Sequence, residues 1–213
     1  MKGFAMHRPQ FRTTECVSRP HANEDVEMDA ESETEYPIEV VHNHVYFYNP
    51  VTVKTMLDLC KRLRSMESGL LAMQHDFTLP KPPAIYLHLQ SNGGDAYAGL
   101  SAMNTIENLR VPVITVVDGF VASAATFLLF AGTERWMQKN SCLLIHQIRT
   151  EFWGRYEELK DDMKNSSLLR DDISRIYSEK SNIPEKKLKR ILKRELHLNT
   201  ETCSKYGIVH KVI

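Results

Sequence analysis

The chain has 213 residues and a mass of 24.5 kDa, enough for one domain with a substantial core. With 42% hydrophobic and 25% charged residues, and 27 basic side chains set against 27 acidic ones, it reads as globular, and charge recommends neither nucleic acid nor an anionic membrane as a partner. No segment supplies the roughly 20 consecutive apolar residues of a membrane helix, and Met1–Arg8 has no apolar run behind it, so a cytoplasmic, membrane-free protein is expected. The four cysteines, Cys16, Cys60, Cys142 and Cys203, lie far apart without ligand spacing, and neither a metal site nor a disulfide framework is expected.

Residues 1–36 lack apolar periodicity and include an acidic run from Glu24 to Glu35, the composition of a flexible arm. From Ile38 the pattern changes. Ile38–Val41 and His44–Tyr48 are β-prone, Thr52–Met66 has helical apolar spacing, and Ala84–Leu89 reads as a strand after the prolines at 80, 82 and 83. The turn Ser91-Asn92-Gly93-Gly94 leads to a helix over Ala98–Leu109 and a strand over Val113–Val117. Asp118-Gly119 then precedes a small-residue helix over Ala122–Ala131, and Cys142–His146 is a further strand. Arg155–Lys180 predicts one long helix, another starts near Pro184, and Tyr206–Ile213 predicts a turn and closing strand. Alternating strands and helices with short links predict an α/β domain with largely parallel, buried strands.

Three places combine a sheet edge with reactive groups. The paired glycines after the second buried strand permit close approach of backbone N–H groups to a ligand; a plain tight turn explains them equally well. Ser123 stands between a strand and a helix, where it serves either as a nucleophile with the Ala124 amide as half an oxyanion hole, or as a helix cap. His146 ends an apolar strand, where an imidazole within reach of Ser123 would act as its base. The basic run Lys186–Arg194 carries Leu188, Ile191 and Leu192 at helical spacing, the pattern of an amphipathic helix with a solvated charged face rather than a nucleic-acid patch.

Taken together, Gln90–Gly99, Asp118–Ala124 with Leu128–Gly132, and Ile145-His146-Gln147 resemble the blocks of the Clp protease proteolytic subunit, the ClpP family, in family order and spacing; Lys205–Val209 resembles its closing strand. The resemblance covers residues 38–213 and implies a crotonase-like α/β fold of repeated strand-strand-helix units with a protruding handle helix, here Arg155–Lys180. It implies a serine endopeptidase hydrolysing unfolded polypeptides inside stacked, self-associated rings, heptameric in the family. The resemblance also implies a ring ATPase partner and no cofactor; the chain has no GxxxxGK[ST] phosphate loop, so any ATP dependence must come from that partner. Residue by residue, it implies Ser123 as nucleophile, His146 as base, Gly93 and Ala124 as oxyanion-hole amides, and Asp95 and Arg149 at positions whose backbone holds the substrate as an added strand.

The chain departs from the family pattern in three ways. The glycine turn lacks the family's proline, Ala124 replaces a methionine, and an ungapped count back from Tyr206-Gly207 puts Ile191 where the triad aspartate belongs. Glu195, four residues on, is the candidate acid; its other reading is a surface glutamate paired with neighbouring Lys or Arg. Two rival functions follow: a catalytically impaired structural subunit of such a ring, favoured by Ile191 and opposed by Ser123 with His146, and an acyl-CoA enzyme of the same fold that needs no serine.

Overall fold

The computed structural model describes residues 35–213, and the acidic arm expected over 1–36 lies outside the described residues save for its last two. At that boundary Lys54 pairs with Glu35, and the Tyr36 main chain exchanges two hydrogen bonds with the Asn49 side chain, at 2.7 and 2.8 Å.

The strands are β1 (Glu39–Val41), β2 (His44–Phe47), β3 (Ile85–Ser91), β4 (Val113–Ala122), β5 (Glu134–Met137), β6 (Cys142–Leu144) and β7 (Lys211–Val212). The helices are α1 (Val53–Asp76), α2 (Ala96–Glu107), α3 (Ala125–Ala131), α4 (Tyr156–Glu179), α5 (Glu185–Leu192) and α6 (Thr200–Lys205). They build one sheet in the order β1-β2-β3-β4-β5-β7, with β6 against β4. Among the named strands of the described residues, β1-β2 is the antiparallel pair and the others run parallel. The expected α/β domain with mostly parallel strands is therefore what forms.

Alternation along the strands sorts the two sheet faces. Val45, Phe47, Ile85, Leu87, Leu89, Val113, Val117 and Val121 are buried in the core beneath α1, α2 and α3. His44, Tyr46, Tyr86, His88 and Trp136 lie half-buried on the other face, where His44 stacks on Tyr86, Tyr46 stacks on His88 and Trp136 meets Tyr86 edge-on. Helix α1 runs ten residues beyond the expected Met66, because Glu67 and Leu70 continue the buried stripe of Met56, Leu59 and Leu63. Its start is capped by Thr52, whose hydroxyl accepts the Thr55 N–H at 3.1 Å.

Two differences from the sequence expectation bear on the site. Strand β4 does not stop at Val117 but runs through Asp118-Gly119 to Ala122, because a second partner takes over: β5 pairs with Ile114–Val117 and β6 with Phe120–Ala122. The helix expected from Ala122 accordingly starts at Ala125, and Ser123 and Ala124 form the corner between strand and helix. The strand expected over Cys142–His146 ends at Leu144, leaving His146 in the segment that follows, outside the ladder.

Candidate active site

Ser123 occupies a left-handed conformation, with φ of 53°, which costs a non-glycine residue on the order of 1–3 kcal/mol unless its surroundings fix it. Here both sides are fixed. The Ser123 N–H donates to the Leu144 carbonyl of β6 at 3.0 Å, and the Ser123 carbonyl accepts the Thr126 N–H at 2.9 Å and the Thr126 hydroxyl at 2.6 Å. The Thr126 hydroxyl also meets the buried Tyr177 hydroxyl of α4 at 2.7 Å, tying the corner to the long helix. A sharp strand-to-helix corner of this kind lifts a serine hydroxyl clear of the sheet. Ser123 is half-buried and lines a cleft of about 1020 Å³.

The glycine turn packs directly on that corner. Gly93 has φ of 97°, and a Cβ there would lie 2.6 Å from Ser123 Cβ and 2.7 Å from the Ala122 carbonyl oxygen, so only glycine fits. Its neighbour Gly94, with φ of 142°, is similarly pressed against the Val51 carbonyl. The two glycines differ in what their N–H groups do. Gly93 donates to Ser91 Oγ at 3.1 Å and does not line the cleft, whereas Gly94 lines the cleft and its N–H makes no hydrogen bond among the described residues. The Ala124 N–H is likewise unpaired among the described residues. Beside Ser123 the unpaired amides are thus those of Gly94 and Ala124, while the N–H of Gly93, the glycine expected to supply one, donates to Ser91 Oγ.

His146 lines the same cleft, its side chain only 10% exposed. No hydrogen bond joins it to Ser123 Oγ among the described residues, a looseness common in substrate-free sites. Its Nδ1 lies 3.2 Å from Glu195 Oε1, within ion-pair distance but too poorly aligned for a hydrogen bond, and Nδ1 is buried without any other partner. Glu195 follows α5 in a segment bound to the β6 region at both ends. Gln147 N–H donates to the Leu192 carbonyl at 2.7 Å, and Leu143 and Leu198 exchange hydrogen bonds of 3.0 and 2.7 Å. Ile191, the residue at the ungapped aspartate position, is on the buried face of α5 with Leu188 and is 8% exposed, so it is a core residue.

Arg149 is also at the cleft, and its Nη2 lies 3.1 Å from the same Glu195 oxygen. The Arg149 guanidinium foremost, with the His146 imidazole beside it, holds the Glu195 carboxyl below the usual carboxylate range. Asp95 caps α2, its carboxylate accepting the Ala98 N–H at 3.0 Å, and its own N–H already donates to the Val51 carbonyl at 2.8 Å. By contrast, residues 148–153 make no main-chain hydrogen bond among the described residues, leaving an open edge along the cleft. The sequence reading missed the far wall, where Leu169, Ile173 and Tyr177 of α4 face Phe127 of α3 across the cleft; their helical spacing was visible, but not what they pack against. Among the described residues no cluster of His, Cys, Asp or Glu is arranged to hold a metal ion.

The ATP-dependent Clp protease proteolytic subunit of Deinococcus radiodurans is 33% identical over 131 residues, 61% of this chain and 64% of that protein. ATP-dependent Clp protease proteolytic subunit 2 of Treponema denticola is 32% identical over 144 residues, 67% of this chain and 71% of that protein. A solved structure of a ClpP1 point mutant from Listeria monocytogenes superposes with a TM-score of 0.68 at 23% identity, covering 81% of this chain and 91% of that one, which shows the shared crotonase-like fold. The Clp protease family model matches residues 44–213, and the chain is a divergent member of the Clp protease family.

Proposed function

We propose that the chain is a serine endopeptidase that hydrolyses unfolded polypeptide, with Ser123 as nucleophile, His146 as base and Glu195 as the third member. The observation that carries this is the convergence of a serine held at φ of 53°, an imidazole and a carboxylate 3.2 Å behind it on one cleft. In the reaction, Ser123 Oγ attacks the scissile carbonyl carbon while His146 Nε2 takes the hydroxyl proton; the tetrahedral oxyanion is received by the Ala124 and Gly94 N–H groups. Collapse breaks the C–N bond, His146 returns the proton to the leaving amine, and water repeats the sequence on the acyl-enzyme. Glu195 favours the tautomer with the proton on Nδ1, which leaves Nε2 free to act as base. The substrate strand would lie along the open edge at 148–153, which offers main-chain groups with little side-chain discrimination.

Assembly into stacked rings belongs to the same reading. Helix α4 buries only Ile173 and Tyr177, while Tyr156, Met163 and Leu168 are exposed on it, as suits a helix that packs against another copy. The chain carries no phosphate loop, so ATP dependence would come from a partner ATPase. The impaired-subunit reading rested on Ile191, and the carboxylate it lacks is supplied at Glu195.

The test is labelling of the assembled protein with a fluorophosphonate, beside Ser123→Ala, with the adduct located by mass spectrometry. Modification at Ser123 that vanishes in the variant is expected; absence of labelling in a folded oligomer would refute an activated serine.

A further inference from the structure

Glu195 Oε1 has two nitrogen neighbours, the His146 imidazole Nδ1 at 3.2 Å and the Arg149 guanidinium Nη2 at 3.1 Å. The backbone bonds of Leu192 and Leu198 set where the Glu195 main chain runs, but they do not set its side chain, which is 52% exposed and free to rotate about three torsions. A carboxylate so exposed is drawn into water, and confining it over an imidazole costs rotamer entropy. The imidazole it must meet is buried, and its Nδ1 has no other acceptor. Something has to hold the carboxylate there. Arg149 sits three residues beyond His146 on the same segment, and its guanidinium is a rigid planar donor suited to a carboxylate. No other charged or titratable group of the cleft, Asp95, Glu151, Asp162 or His197, pairs with Glu195 among the described residues.

We propose that Arg149 is a positioning residue that holds the Glu195 carboxylate against His146 Nδ1, so that the acid in this chain is an arginine-braced glutamate rather than a self-supporting aspartate. This rests on the serine-peptidase reading. The role implied for position 149 by the family resemblance concerns its main chain, so side chain and backbone serve separate purposes here. The pair also favours the ionised carboxylate, since the Arg149 guanidinium is the largest influence lowering its pKa.

The experiment is steady-state kinetics of the assembled protein on a fluorogenic peptide, comparing Arg149→Gln, Arg149→Lys, Glu195→Gln and the Arg149→Gln/Glu195→Gln double variant, with Ser123→Ala as control. A misplaced partner at this distance is expected to lower kcat by about tenfold in Arg149→Gln. KM should not change, and Arg149→Lys should recover part of the loss. In the Glu195→Gln background the Arg149 change should have no further effect. An equal loss in that background, a loss in KM instead of kcat, or no loss at all overturns the proposal while leaving the serine peptidase intact. Activity that survives Ser123→Ala overturns the serine-peptidase reading itself. If the wild-type chain turns over too slowly to measure, the His146 Nδ1 proton resonance decides: it should be lost or shifted in both Arg149→Gln and Glu195→Gln, and a resonance unmoved by Arg149→Gln sinks the proposal.

Discussion

Gly93 and Ser123 touch: a Cβ on Gly93 would stand 2.6 Å from Ser123 Cβ, closer than such atoms approach. The serine corner and the glycine turn belong to different strands, β4 and the end of β3, and each is shaped to admit the other. Gly93→Ala meets both a steric clash and a φ of 97°, and should cost about 3 kcal/mol of stability and most fluorophosphonate labelling. Urea unfolding and labelling of the folded fraction would check this; wild-type labelling in the variant would show that the corner tolerates displacement.

Glu195→Gln keeps the shape of the side chain and removes its charge. Loss of a triad acid can cost about 10⁴ in kcat, and with Glu195 half-exposed we expect about 10² to 10³, with KM unchanged. Kinetics on one peptide substrate measures it, and parity with wild type would demote Glu195 to a surface ion pair.

Ile191→Asp puts a carboxylate at the position an ungapped alignment gives to the acid. Because Ile191 is 8% exposed on the core side of α5, the variant buries an unpaired charge and should lose about 3 kcal/mol or more without gaining activity. Thermal melts and peptidase rates at neutral pH decide; a stable variant with higher kcat would mean that α5 lies differently.

Glu67 gives a pH signature unconnected with catalysis. Its carboxylate accepts the Arg110 N–H at 2.6 Å and an Arg64 guanidinium contact at 3.3 Å, and these bonds, the Arg110 N–H foremost, hold its pKa below the usual carboxylate value. A depressed folded-state pKa stabilises above the unfolded value of about 4.3, and that gain is lost as pH falls through the folded one. Glu67→Gln should therefore cost about 2 kcal/mol at pH 7, and less as pH drops below about 4. Denaturant unfolding across pH reads it, and a pH-independent difference would assign the cost to packing alone.

The sequence by itself determined the parts that local physics writes. Period-two and helical spacing marked most of the elements, paired glycines marked the tight turn, and Ser123 at a strand-to-helix junction and His146 at a strand end were identifiable without coordinates. Elements whose existence depends on distant partners were misjudged or missed: β4 runs past Asp118-Gly119 because β6 pairs with its far half, and β5 is a strand because β4 and β7 flank it. Only the tertiary structure shows what surrounds each of two nearby positions. Gly93 and Gly94 differ in which N–H is already bonded and in which one lines the cleft, and Ile191 and Glu195 differ in whether they meet the core or the cleft. Such choices depend on hydrogen bonds and packing between segments 40 to 70 residues apart, such as Val51 with Gly93 and His146 with Glu195, and a local pattern carries no record of them.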